Sequence, residues 1–147
     1  MKTVFDKTTR DELITRINAL NATNTAQWGK MNLNQMVKHC MLWEEMIQGD
    51  KEYKQAFIGR LFGKMALKKL TKDESPLQRN TPTTEELKQL ENCNLTEDKA
   101  KWVEYIEKYT NFSKQGFIHP FFGPMTDGQI GILAYKHADH HLRQFGG

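Results

Sequence analysis

Apolar residues recur at spacings of three and four along most of this chain, and no Val/Ile/Thr alternation of strand length interrupts them. That period belongs to helices that each bury one stripe, so the chain is restricted to packing helix on helix. The first segment begins near Thr9, where Thr9 and Glu12 have capping-box spacing and Leu13, Ile14, Ile17 and Leu20 follow as a stripe. The second runs over about 32–48 and stops at Gly49-Asp50, with Met36, Val37, Cys40, Trp43 and Ile47 on its apolar face. A shorter basic helix is expected over 56–70 and a brief helical turn over 84–90. A long helix is expected over 95–112, capped by Asn94 or Thr96. Its stripe is read as Ala100, Val103, Ile106 and Tyr109, with Trp102 a further candidate. An aromatic loop, Phe117-Ile118-His119-Pro120-Phe121-Phe122, precedes a last helix that opens at Thr126, with Gln129 completing a second capping box.

A chain of 147 residues favours one domain, here 1–147. Four main amphipathic helices joined by long connections predict an all-α four-helix bundle. The short basic helix would lie in the crossover between the second and third.

Charge and cysteine content exclude several function classes. A net charge of +3 is too mild to argue for nucleic acid, so no nucleic-acid partner is expected. No apolar run follows Lys2, so no signal peptide is read, and no stretch reaches the roughly 18 apolar residues of a membrane helix. Two cysteines without a Cys-x-x-Cys predict a reduced, cytoplasmic protein, and the lack of a long apolar run means that no membrane partner is expected. Gly-rich phosphate loops and paired-carboxylate sites are absent from the sequence. The segment 51–72 carries seven basic residues against Glu52 alone, a local charge of +6. Phosphates, an acidic partner or a membrane surface would fit it, and a solvated face of snorkelling lysines is the simpler expectation.

The chemistry concentrates in Tyr135-Lys136-His137-Ala138-Asp139-His140-His141. His137 and His141 are four apart, so on a helix they stack on one face about 5–6 Å apart at Cβ, close enough to share one metal ion. His39 lies on the second helix on the side of Met36, Trp43 and Met46, so helix packing can bring it to them as a third ligand. Three neutral imidazoles suit zinc, nickel, copper or ferrous iron and leave positions open for water, thiol or substrate. Asp139, Glu44 or Glu45 are the candidate acceptors for the ligands' outer N–H groups. Trp43, His119 and Phe121 are candidate pocket walls, and His140 flanks the pair. The competing reading is that these are core histidines, each satisfied by a hydrogen bond.

Trp28, His39, His119-Pro120-x-Phe122-Gly123 and His137-x-x-x-His141-x-Arg143-Gln144-Phe145-Gly146 together resemble the DinB/YfiT-like superfamily over nearly the whole chain. That resemblance implies a four-helix bundle with a divalent metal, zinc or nickel first, on His39, His137 and His141. It also implies a homodimer and a small-molecule substrate. Its characterised members transfer low-molecular-weight thiols to electrophiles or use such a thiol in isomerisation. One departure is His141-Leu142-Arg143-Gln144, where many members read His-Arg-Gly-Gln. The implied activity is thiol transfer or metal-assisted hydrolysis. The alternative is a non-enzymatic helical dimer with a structural or vestigial site.

Overall fold

The computed structural model describes residues 1–83, 87, 92–114 and 116–147. Five helices follow in order: α1 (Lys7–Ala19), α2 (Leu33–Gln48), α3 (Phe57–Leu70), α4 (Leu95–Lys108) and α5 (Asp127–Gln144). One 3-10 turn, Tyr109–Asn111, continues α4. Two short strands, β1 (Ile118–His119) and β2 (Gly123–Pro124), precede α5. The protein is all-α apart from that ladder, in which Ile118 pairs with Pro124 and His119 with Gly123, antiparallel. Two residues per strand is too short to leave an alternating pattern, which is why the sequence reads there only as an aromatic loop.

Four helices close a ring in which α1 packs on α4, α4 on α2, α2 on α5 and α5 on α1. Chain-consecutive α1 and α2 therefore sit across the diagonal, as do α4 and α5, which is what the long connections accomplish. Leu13, Ile17, Met36, Trp102, Tyr109 and Leu142 lie fully buried inside the ring.

The caps show which local readings held. Asn32 accepts from the Gln35 N–H at 2.9 Å while the Gln35 side chain accepts from the Asn32 N–H at 3.0 Å, a reciprocal box that starts α2. Thr126 and Gln129 form the same device at α5, and the Asn94 side chain accepts from the Thr96 and Glu97 N–H groups. The expected box at Thr9 does not form. Helix α1 begins earlier, at Lys7, and Thr9 is buried inside it. Arg10 fixes the approach instead, donating to the Val4 and Phe5 carbonyls at 2.9 and 2.8 Å. Helix α4 ends at Lys108 rather than at 112, and Trp102 is buried where Ala100 is exposed. The turn read over 84–90 lies outside the described residues, apart from buried Leu87.

Helix α3 stands outside the ring against the β1–β2 ladder. Gly59 and Gly63 sit so close to the Phe121 carbonyl that a Cβ at either would collide with it. The Ala56 N–H donates to the Pro120 carbonyl at 2.8 Å. Lys136 of α5 fastens the other end, its Nζ donating to the carbonyls of Leu70, Asp73 and Ser75 at 2.7, 2.6 and 2.9 Å. Seated this way, α3 turns Phe57, Ile58, Leu61, Phe62 and Met65 outward, each at least 48% exposed. The basic segment is thus not simply a solvated lysine face, since its outer side is apolar as well.

Candidate metal centre

His39 rises from the middle of α2, and His137 and His141 stand one turn apart on α5, its neighbour in the ring. The three rings meet with centroids 5.0 Å (His39–His137), 4.8 Å (His39–His141) and 4.7 Å (His137–His141) apart. One ligating nitrogen from each lies within 4.8 Å of the others, a grouping that could hold a metal ion. Trp43, one turn beyond His39, stacks on His137 at 4.8 Å and 22° and walls one side. The three imidazoles are enclosed, while His137 as a whole residue keeps intermediate exposure.

Hydrogen bonds on the outer nitrogens decide what the inner ones are. His39 Nδ1 lies 3.3 Å from the Leu87 carbonyl, which can only accept, so Nδ1 carries the proton and Nε2 presents a lone pair. Gln144 Nε2 donates to the Trp28 carbonyl at 2.7 Å, which turns Gln144 Oε1 toward His141 Nδ1 at 2.8 Å. His141 Nδ1 is therefore also the donor, and its Nε2 is likewise a lone pair. The Nε2 atoms of His39 and His137 are 3.0 Å apart. Lone pairs converging in a closed space repel unless a proton or a cation lies between them.

The electrostatics keep these rings neutral. Burial pushes the His39 imidazole below its ordinary 6.5, against the opposing effect of the Leu87 carbonyl. Burial, then the neighbouring His141 and His39, hold His137 well below that value. Burial, then His39, bring His141 to about 3. Neutral imidazole is the ligating form.

The other candidates divide. His140 stands edge-on to His141 at 5.1 Å and to Trp28 at 5.6 Å, on the flank of the cluster and not in it. His119 Nδ1 accepts from the Phe121 and Phe122 N–H groups at 3.0 and 3.2 Å, and burial lowers its pKa to about 4. It organises the ladder turn, near enough that a charge on it would act on His137. Phe121 contributes its carbonyl to the α3 seat and to Gln55 at 3.1 Å. Among the described residues Asp139 accepts from none of the three clustered histidines: its oxygens accept from Arg16 at 2.8 Å and Arg143 at 2.9 Å. Glu44 is turned to Tyr109 and Gln48, and Glu45 is exposed. The outer N–H groups go instead to Leu87 and Gln144. Gln144 was legible, being three residues from His141 on one helix. The Leu87 contact spans 48 positions and had no local signal.

A helical ring with three enclosed imidazoles facing one another across two adjacent helices defines a histidine-centred bundle domain. The chain belongs to the family described as protein of unknown function DUF1569, whose match covers residues 2–146. No curated protein and no solved structure matches it.

Proposed function

We propose that His39, His137 and His141 hold a divalent metal, zinc or nickel, through their Nε2 atoms, and that the centre acts on a small molecule. The carrying observation is the pair of Nδ1 donors pinned to acceptor oxygens, which leaves the Nε2 lone pairs of His39 and His141 free in a cluster where one nitrogen from each of the three rings lies within 4.8 Å of the others. Three nitrogen ligands suit such an ion and leave it a further position. A divalent ion in that place lowers the pKa of a water or a thiol beside it. The chain's own part is to orient His39 and His141 through Leu87 and Gln144 and to exclude water behind His137 with Trp43. Transfer of a low-molecular-weight thiol to an electrophile is the reaction this reading favours, with hydrolysis as its variant. The likeness of the C-terminal block to DinB/YfiT-like proteins agrees with it, and the proposal extends to a homodimer working in the cytoplasm.

A second reading is a non-enzymatic helical dimer with a structural ion. The observation in its favour is that neither of two surface cavities beside α5, about 220 and 120 Å³, is lined by the three histidines. Elemental analysis of untagged protein tests both: one divalent ion per chain is expected, lost in His137→Ala. Metal-free native protein would refute the centre itself. If the ion is present, turnover of a thiol with a panel of electrophiles favours the enzyme, and its absence across the panel favours the structural ion.

A further inference from the structure

Helix α3 combines three features that ordinary surface helices do not share. Its outward residues Phe57, Ile58, Leu61, Phe62 and Met65 are exposed at 76%, 54%, 60%, 48% and 68%. At 100° per residue they fall in an arc of about 140°, and buried Gly59, Gly63 and Leu67 centre about 170° away. The apolar stripe therefore points straight away from the body. Arg60 and Lys64 line one seam between the two arcs, while Lys68 and Lys69 close the C-terminal end of the stripe itself. These four make no ion pair with a described residue.

Charge is also segregated. The segment 51–72 carries +6 in a chain of net +3, so everything else sums to −3. Two copies meeting through α3 would bring +6 against +6. The basic residues of the segment are lysines apart from Arg60, mobile point charges suited to a diffuse anionic field and not to a paired carboxylate. Neither cavity named above is lined by α3. A helix about 21 Å long, apolar outside and basic at its edge, matches a segment that lies in a bilayer interface.

We propose that α3 is a peripheral docking surface for an anionic lipid bilayer. The apolar stripe enters the boundary between headgroups and acyl chains while the lysines meet lipid phosphates. The protein lies on the membrane: among the described residues no helix is long and apolar enough to cross one.

Flotation with phosphatidylcholine vesicles, with and without phosphatidylglycerol, tests the proposal on the full chain. Binding is expected only to the anionic vesicles, weakening as salt rises. Lys64→Ala and Lys68→Ala should each weaken it about five-fold. The double variant Phe57→Ser/Phe62→Ser should abolish it with the circular dichroism unchanged, because both rings are exposed. No binding, or equal binding to neutral vesicles, overturns the proposal. So does a dimer, seen by light scattering, that the double serine variant converts to monomer, since a second copy would then be what covers α3.

Discussion

Replacing Glu44 by glutamine probes how the bundle tolerates a carboxyl group at its centre. Glu44 is 1% exposed. Its Oε2 accepts from the Tyr109 hydroxyl at 2.6 Å and from Gln48 at 3.4 Å, while Oε1 has no hydrogen-bond partner among the described residues. Burial raises its pKa from the ordinary 4.5 to about 8, against the opposing effect of those hydrogen bonds. A carboxyl whose folded pKa exceeds its unfolded one holds its proton more tightly in the native state. Its contribution to stability is then full below pH 4.5 and is lost as pH rises toward 8. At about 1.4 kcal/mol per pH unit, the loss by pH 7 is about 3 kcal/mol. Glutamine keeps the shape and the acceptor for Tyr109 but cannot ionise, so it escapes that loss. The buried histidines act oppositely: His39, His119, His137 and His141 have lowered pKa values, so their contribution rises with pH up to 6.5. Only the difference between wild type and Glu44→Gln isolates the carboxyl. Urea unfolding of chelator-treated protein from pH 5 to 8 measures it. The variant should gain on wild type steadily, reaching about 3 kcal/mol, or roughly 6–12 °C in Tm, near pH 7. Parallel stability curves would show that Glu44 is as easily ionised in the fold as outside it, and the argument from burial would fall.

Gln144→Leu removes the acceptor that sets the His141 tautomer and should weaken divalent-metal affinity about 10- to 100-fold in a competition titration. An unchanged affinity would mean that Gln144 does not orient the ring. Gly63→Ala drives a Cβ into the Phe121 carbonyl, so α3 should loosen, and limited proteolysis within 71–83 should accelerate while the helical ring keeps its dichroism. His119→Ala leaves the Phe121 and Phe122 N–H groups without their acceptor and should cost about 1–3 kcal/mol in thermal unfolding. A neutral result there would place water or another acceptor at the turn.

Residues whose partners lie one or two helical turns away were readable before folding. The stripes of α2 and α5, the Asn94 cap and the Thr126–Gln129 box follow from local spacing alone. So did the pairing of His137 with His141, because a helix places them on one face whatever else the chain does. The misreadings have a common cause. Thr9 and Glu12 fit a capping pattern, but Arg10 turned inward to two carbonyls and set the start of α1 by contacts the pattern does not contain. Trp102 displaced Ala100 because α4 faces both α1 and α2, and only the packing says which arc is covered. Asp139 sits beside the histidines in sequence yet points to Arg16, 123 positions away. Exposure of the α3 stripe was equally invisible, since an apolar arc reads the same whether a core or nothing covers it.

The histidine cluster draws one ring from position 39 and its nearest partner from 98 positions later. A nascent chain that has not yet released α5 carries His39 with nothing to face. Fragments ending before α5 are likewise unable to form the cluster, however well α1 and α2 coil. Any ligand held at that point would therefore bridge two helices that are far apart along the chain and neighbours in the ring.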